Sequence, residues 1–305
     1  MSGDLMIPHR IIRCFTAWMP EILINPPESE VYLSGSSLNH HIMYTWDPEE
    51  YERCSSAQQE WAMSALSELS IRGDERILDI GCGDGKITAR ISQLVPDGSV
   101  LGIDISPDMI SFARRRYSPV IFRNLRFEQG DALDLRFDEE FDIVVSFACL
   151  HWIRDHLSVL QGIYRSLVPG GRMLVQCGGR GNAAQLLDTT SEVCLEESFA
   201  SYFKDFQFPY FFYEPDDYEM WIPAAGLHTV SVKLIPKDMV HSSREALEGF
   251  LRSTWHPYLQ RLPVELRSPF VQEIARRYID RYSSPDGMIH VRMMRLQALA
   301  EKQPD

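Results

Sequence analysis

The sequence predicts an α/β fold: a doubly wound, mostly parallel sheet of seven strands, with helical cap insertions. First, residues 76–176 alternate between short apolar segments of strand length and amphipathic helical segments, the pattern of βαβ units. Second, a glycine-rich turn at residues 81–85 follows the first strand. Third, residues 178–305 change to aromatic-rich helical segments and two further strand-like segments, which indicates insertions around the end of one sheet.

Local patterns predict each element in order. Strands are expected at residues 76–80, 99–103, 125–129, 141–146, 172–176, 230–235 and 288–299. Helices are expected at residues 48–69 and 85–94, after Ser106-Pro107, from Asp155 to the Pro169-Gly170-Gly171 turn, and within 243–282. Proline suits the first turn of a helix, so Ser268-Pro269 is expected to begin the last of these helices.

These elements suggest three parts of the chain. Residues 1–40 form an N-terminal extension whose apolar side chains share one helical face, as expected for a packing helix or a lid. Residues 41–177 form the core with the glycine turn. Residues 178–305 supply the helical cap segments and the last two strands of the core sheet.

Composition limits the classes of function. The chain has 305 residues, 45% hydrophobic and 24% charged, as in ordinary globular proteins. No apolar run approaches the roughly 20 residues that span a bilayer, and Arg10 and Arg13 interrupt the N-terminal apolar stretch, so a cytoplasmic protein without membrane contact is expected. The net charge of −13 disfavours a nucleic-acid partner. The six cysteines have no zinc-ligand spacing, so no metal is expected; nothing indicates the oligomeric state.

The glycine turn carries the clearest functional signal. Ligands of open α/β sheets bind at the carboxyl ends of the strands, where Gly81, Gly83 and Gly85 would let a ligand approach the backbone. The dinucleotide fingerprint requires glycine at position 86, where this chain has lysine. Asp79 would repel a pyrophosphate and attract the ammonium and sulfonium groups of S-adenosylmethionine (SAM). The charge pattern therefore favours SAM over NAD.

Two further acids follow the next strands. Asp104 ends the second strand, where a carboxylate can accept hydrogen bonds from ribose hydroxyls; the alternative is a helix-capping or solvated aspartate. Asp131, in Gly130-Asp131-Ala132, follows the third strand. Its carboxylate could accept a hydrogen bond from an adenine amino group, or it could simply stabilise a turn.

Together these residues resemble the motifs of class I SAM-dependent methyltransferases. The Leu167–Gly171 turn before the fifth strand matches as well, and the resemblance covers roughly residues 48–177. It implies a Rossmann-like core with SAM as the cofactor. The cofactor-binding residues it implies are Asp79, Gly81, Cys82, Gly83, Gly85, Asp104, Ile105, Met109, Asp131, Ala132, Ser146 and Phe147.

The segment after the fourth strand indicates the kind of acceptor. Residues 146–156, with Leu150-His151-Trp152 at their centre, resemble trans-aconitate methyltransferases, and similar segments occur in juvenile hormone acid and malonyl-carrier-protein methyltransferases. Looser similarity to the trans-aconitate enzymes extends to residues 44–51, residues 254–259 and the final strand with Arg292 and Arg295. The resemblance implies a small-molecule partner, most simply a carboxylic acid methylated on oxygen.

His151 and Trp152 are the candidate catalytic residues. His151 would donate a hydrogen bond to the acceptor oxygen or act as a base; the alternative is that it has a structural role. Trp152 would line the adenine or substrate pocket; the alternative is that it packs in the core. Tyr44, Trp46 and Tyr51 would close over the methionine end of SAM or pack on the first helix. The candidate carboxylate holders, each of which could instead be a solvated residue, are Arg252, His256, Tyr258 and Arg292.

Other acceptors stay open at this point. A carboxylate, with a pKa of about 4, is already ionised at neutral pH and needs no strong base. The chain has no evident base–nucleophile pair, which is compatible with catalysis by positioning. The alternatives are methylation of a carbon, nitrogen or hydroxyl acceptor, for which the aromatic residues 206–213 would suit a flat or lipid-like molecule, and a non-catalytic SAM-binding protein.

Overall fold

A computed structural model of the chain describes Glu49, Glu52 and residues 56–304. These residues belong to one structural unit. The predicted helix within residues 1–40 and the candidate residues Tyr44, Trp46 and Tyr51 lie outside the described part of the chain.

The described residues form a sheet of seven strands, which confirms the predicted fold class. The sheet has the order β3-β2-β1-β4-β5-β7-β6; β1 to β5 are parallel, and β7 is antiparallel to both β5 and β6. The order reverses direction between β1 and β4, the place where open α/β sheets bind ligands. The strands are β1 (Arg76–Ile80), β2 (Ser99–Asp104), β3 (Leu125–Gln129), β4 (Phe141–Phe147), β5 (Leu167–Gly178), β6 (His228–His241) and β7 (Ile289–Glu301).

Helices flank the sheet, and capping residues explain where several begin. The Ser106 side chain accepts a hydrogen bond from the Met109 N–H and Pro107 occupies the first turn, as predicted. The Asp155 carboxylate likewise accepts from the Ser158 N–H. The described α-helices are α1 (Ser56–Leu66), α2 (Lys86–Leu94), α3 (Pro107–Arg116), α4 (His156–Ser166), α5 (Ala184–Cys194), α6 (Pro215–Ala224), α7 (Arg244–Thr254), α8 (His256–Leu259) and α9 (Val264–Arg281).

Some predicted boundaries differ from the structure. The helix predicted to begin at Ser268-Pro269 is α9, which begins at Val264 and carries Pro269 in its interior. The turn at Pro169-Gly170-Gly171 does not precede β5 but lies inside it, because Gly170 and Gly171 exchange backbone hydrogen bonds with Lys302 beyond β7. The strand predicted at residues 230–235 is longer because β6 pairs with all of β7.

Buried apolar side chains form three clusters. Two of them contain the residues of the central strands and the helices on either side, including Leu78 in one and Ile77 in the other. The third, the cap cluster, consists of residues from α1, α5, α7, α8, α9, β6 and β7 together with aromatic residues 199–212. The cap cluster therefore lies where the sequence leaves the regular β/α alternation. None of the described helices is long and apolar enough to cross a membrane.

Candidate active site

The glycine turn is tied to the end of the neighbouring strand. Gly81, Gly83 and Gly85 have φ values of 73°, 55° and 81°. These are left-handed conformations that favour glycine. The backbone N–H groups of Gly81 and Cys82 both donate to the Ile103 carbonyl, at 2.8 and 2.9 Å. The turn therefore has a fixed shape at the carboxyl ends of β1 and β2.

Gly81 also makes a close approach to the segment that follows β4. A Cβ atom built on Gly81 would lie 2.2 Å from the Cys149 Sγ, far inside van der Waals contact. Only glycine therefore lets the turn after β1 touch the segment that carries His151. This contact joins the predicted cofactor loop to the predicted catalytic segment.

Two carboxylates lie beside the glycine turn. Asp79 is 2% exposed and accepts a hydrogen bond from the Thr88 hydroxyl at 2.7 Å. Asp104, partly exposed, accepts from the N–H groups of Gly83 at 3.0 Å and Ser106 at 2.9 Å. Burial raises the pKa of Asp104, and burial together with the nearby charge of Asp104 raises the pKa of Asp79 to about 7. The turn is thus an acidic, partly desolvated site.

This arrangement fits SAM. The cost of burying Asp79 next to Asp104 is offset when a cationic group enters the site, and SAM carries a sulfonium and an ammonium. A pyrophosphate would add negative charge to the same place. The observed acid pair therefore agrees with the charge argument made from the sequence.

The other predicted cofactor residues differ in how far they are buried. Met109, Phe147 and Cys82 are buried, whereas Ile105 is an exposed apolar residue at the end of β2. The Ser146 hydroxyl donates to the Ile80 carbonyl at 2.8 Å, so it connects β4 to β1. The structure further places Asp131 and Ala132 half-buried in the turn after β3, where the Asp131 carboxylate accepts from the Leu133 N–H at 2.9 Å.

The affinity for SAM is expected to rise with pH. A cation prefers the ionised form of Asp79, whose raised pKa of about 7 leaves it largely protonated in mildly acidic solution. Affinity should therefore be about tenfold weaker near pH 6 than near pH 8. Calorimetric titration across this range measures the effect, with Asp79→Asn as the control that lacks the titrating group. A pH-independent affinity in the unaltered protein would contradict this assignment.

His151 and Trp152 lie in a short 3-10 turn, Leu150–Trp152, directly after β4. The Gly178 N–H donates to the His151 Nδ1 at 3.4 Å, which leaves the ring hydrogen on Nε2. Burial, with the nearby charge of Arg295, lowers the pKa of His151 well below its usual value. His151 is therefore a neutral imidazole whose Nε2 is a hydrogen-bond donor.

A buried pair of hydrogen-bonded side chains, His156 and Tyr218, supports the Leu150–Trp152 turn. The Tyr218 hydroxyl donates to the His156 Nδ1 at 2.7 Å, and the His156 Nε2–H donates to the Leu150 carbonyl at 2.7 Å. Burial lowers the pKa of His156 to about 4, so the ring is neutral and can bridge a hydroxyl and a carbonyl. His156 and Tyr218 lie 62 residues apart, and no local sequence pattern predicts that they pair.

Replacing Tyr218 by phenylalanine is expected to destabilise the protein. The substitution leaves the buried His156 Nδ1 without its donor, which should lower the free energy of unfolding by about 1–3 kcal/mol. Urea denaturation measures the difference, and Tyr202→Phe at an exposed position is the control. Equal unfolding free energies for Tyr218→Phe and the unaltered protein would show that the bridge contributes nothing.

A pocket opens beside His151 and Trp152. It borders Ala148 in the segment after β4 and extends into the cap cluster. Its lining residues among those described are Gln58, Trp61, Ala148, His151, Trp152, Asn182, Ala183, Leu187, Tyr210, Phe212, Phe250, Thr254, Trp255, Met293 and Arg295. Since Ala148 lines the pocket and adjoins Cys149, which closely approaches Gly81, one short segment borders both the pocket and the glycine turn.

Arg295 is the cation of this pocket. It is 4% exposed, and its guanidinium lies over the Trp61 ring at 5.6 Å from the centroid. From the sequence, Arg295 is noted only as part of the final strand, whereas Arg292 is the predicted carboxylate holder. Arg292 is exposed on the opposite face of β7 and does not line the pocket.

The other three candidate holders also lie outside the pocket wall. Arg252 is exposed and pairs with Glu248 at 3.9 Å. His256 and Tyr258 are buried in the region of the cap cluster. No group of acids, histidines and cysteines suited to a metal ion occurs within the described residues.

The chain is similar in sequence to known methyltransferases. Residues 71–214 match a family described as a methyltransferase domain. An uncharacterised methyltransferase of Schizosaccharomyces pombe is 30% identical over 226 residues, which cover 70% of this chain and 84% of that protein. A trans-aconitate 2-methyltransferase of Methylobacterium nodulans is 26% identical over 280 residues, 85% of this chain and 99% of that protein.

The fold has a counterpart among solved structures. A phosphoethanolamine N-methyltransferase of Haemonchus contortus, in complex with S-adenosylhomocysteine, aligns with a TM-score of 0.54 at 20% identity, over 85% of this chain and 57% of that one. With the acid-bearing glycine turn, these similarities define an enzyme that transfers methyl groups. The chain belongs to the class I SAM-dependent methyltransferases.

Proposed function

We propose that the enzyme methylates the oxygen of a carboxylic acid and that Arg295 holds the acceptor carboxylate. The observation that carries this proposal is the buried guanidinium of Arg295 in the pocket that His151 and Trp152 also line. A guanidinium in a desolvated site favours an anion and can bind a carboxylate through two parallel hydrogen bonds. Relatives named trans-aconitate 2-methyltransferase and malonyl-carrier-protein O-methyltransferase support the same acceptor class.

The state of His151 supports an ionised acceptor. With Nδ1 accepting from Gly178, the Nε2–H can donate to an acceptor oxygen but cannot take a proton from a hydroxyl or an amine. A carboxylate needs no deprotonation. It becomes a neutral ester when its oxygen takes the methyl group and the electrons of the broken carbon–sulfur bond stay with sulfur. Positioning by Arg295 and His151, in a pocket lined by Trp152, would then suffice.

The cofactor is assigned to the glycine turn. Bound SAM supplies a methyl group activated by its sulfonium. Asp79 and the turn from Gly81 to Gly85 would hold its cationic end, Asp104 its ribose hydroxyls and Asp131 its adenine amino group, with Met109 and Phe147 as apolar neighbours. In this proposal residues 41–177 bind the cofactor, and residues 178–305 supply most of the acceptor pocket, including Arg295.

Transfer of labelled methyl from SAM to a panel of carboxylic acids tests the proposal. The panel contains di- and tricarboxylic acids, fatty acids, aryl acids and acyl-carrier conjugates. Labelled methanol released by mild base, above a control without protein, reports a methyl ester. The absence of methanol from every acid, in a sample that binds SAM, would refute carboxylate methylation. A methylated product that survives alkali would instead indicate a hydroxyl, nitrogen or carbon acceptor.

A further inference from the structure

We propose that the acceptor is an acid with one carboxylate and an apolar acyl or aryl body, an inference that rests on the carboxylate methylation proposed above. Among the residues that the structure describes, the pocket wall has one cationic position, and aromatic and aliphatic side chains form most of the rest of it. The contacts of residues 206–213, the aromatic segment that would suit a flat or lipid-like molecule, show how that wall is built.

The wall offers few groups that could stabilise charge. Trp61, Leu187, Phe250 and Met293 border the pocket and are buried. Among the described lining residues Arg295 carries the single full charge, because burial keeps His151 neutral. One carboxylate matches this charge. A second or third carboxylate on the same molecule would lose its hydration without a cation from the described wall.

Two stacked aromatic rings lie next to the catalytic turn. Tyr210 and Phe212 stack with ring centroids 5.5 Å apart and planes within 5°, and each ring lies 6.1 Å from the His151 ring. The Phe211 N–H donates to the His151 carbonyl at 2.8 Å, which attaches this segment to the catalytic turn. Hydrocarbon beside the reacting carboxylate would contact these ring faces.

The position of the two rings is fixed on both sides. A Cβ atom on Gly178, at the end of β5, would lie 2.8 Å from the Phe212 ring, so glycine there makes room for it. The Tyr210 hydroxyl donates to the Thr254 carbonyl at 3.1 Å, which ties the segment to the end of α7. The apolar wall is therefore held in place before an acceptor binds, and a preformed wall favours one shape of ligand.

Relative catalytic efficiencies test the inference. Decanoate, cinnamate and trans-aconitate are compared as acceptors at saturating SAM, with base-released methanol as the readout. One or both apolar acids should exceed trans-aconitate in kcat/KM by about 100-fold, since the tricarboxylate would bury unmatched charge. Comparing kcat/KM for decanoate with kcat/KM for cinnamate distinguishes a preference for an acyl body from a preference for an aryl body.

A pair of variants tests the aromatic wall itself. Phe212→Ala should lower kcat/KM for the preferred apolar acid by about tenfold and that for butyrate by less, because the short acid buries less hydrocarbon against the ring. Phe208→Ala is the matched control: Phe208 is 46% exposed, contacts both rings from outside and does not line the pocket. An unchanged SAM affinity verifies that each variant is folded, and Phe212→Leu should restore part of the loss.

The outcomes separate this inference from the proposed function. If trans-aconitate is esterified as efficiently as the apolar acids or better, the inference is overturned and carboxylate methylation stands. If no acid yields base-labile methyl, both are overturned. If Phe212→Ala and Phe208→Ala affect the apolar acid equally, the wall does not set specificity and the inference also fails.

Discussion

Replacing Gly81 by alanine is expected to weaken SAM binding by at least about 100-fold. An alanine there would have a strained backbone conformation, and its side chain would collide with Cys149. The residue has φ +73°, and its Cβ would lie 2.2 Å from the Cys149 Sγ and 2.4 Å from the Cys149 Cβ. Either the turn or the segment after β4 must move, and both border the proposed cofactor site. Isothermal titration calorimetry measures the dissociation constant, and circular dichroism verifies the fold.

Gly170 provides a matched control for this prediction. It has a similar φ of +78°, but a Cβ there meets nothing within 4 Å. Gly170→Ala should therefore leave SAM affinity unchanged. Because the collision is with Cys149, the double variant Gly81→Ala with Cys149→Gly should recover part of the binding. Unchanged affinity in the single Gly81 variant would show that the cofactor does not use this turn.

Arg295→Met is expected to lower kcat/KM for the carboxylic acid acceptor by about 100-fold or more, since a buried charge pair is lost. SAM affinity should stay within about twofold of the unaltered protein, because none of the predicted cofactor residues lines the pocket that contains Arg295. Arg295→Lys should retain only part of the activity, since an ammonium cannot form the two parallel hydrogen bonds of a guanidinium.

Arg292 is the control for Arg295 on the same strand. It lies three residues earlier in β7 and is exposed on the other face, so Arg292→Met should leave both kcat/KM and SAM affinity unchanged. If Arg295→Met and the unaltered enzyme are equally active on the preferred acid, Arg295 does not hold the acceptor. A loss that is equal in both variants would point to a general charge effect.

The sheet and the glycine turn could be predicted because their signals are local. Apolar runs of strand length, a proline after a capping serine at Ser106-Pro107 and glycines after β1 each act within a few residues. The start of α9 could not be predicted in the same way. Ser268-Pro269 is a good local start signal, yet the chain is already helical from Val264 and accommodates the proline inside the helix.

The acceptor side of the site depends on contacts between distant residues. Cys149 approaches Gly81, and the His156–Tyr218 pair supports Leu150. Because these contacts join residues far apart in the chain, no local sequence pattern predicts them. Arg295 did leave a signal. Residues at alternate positions of a strand share one face, so apolar Val291 and Met293 place Arg295 on the buried face of β7 and Arg292 on the exposed one. Such an alternation would have identified Arg295 rather than Arg292.

The stoichiometry of a single turnover tests the central claim most directly. Enzyme is mixed with methyl-labelled SAM and its preferred carboxylic acid, and S-adenosylhomocysteine and base-released methanol are measured in the same sample. We expect equal amounts of the two products with the unaltered enzyme, and formation of both about 100-fold slower or less with Arg295→Met despite normal SAM binding. S-adenosylhomocysteine accompanied by a methyl group that resists base, or full ester formation by Arg295→Met, would contradict it.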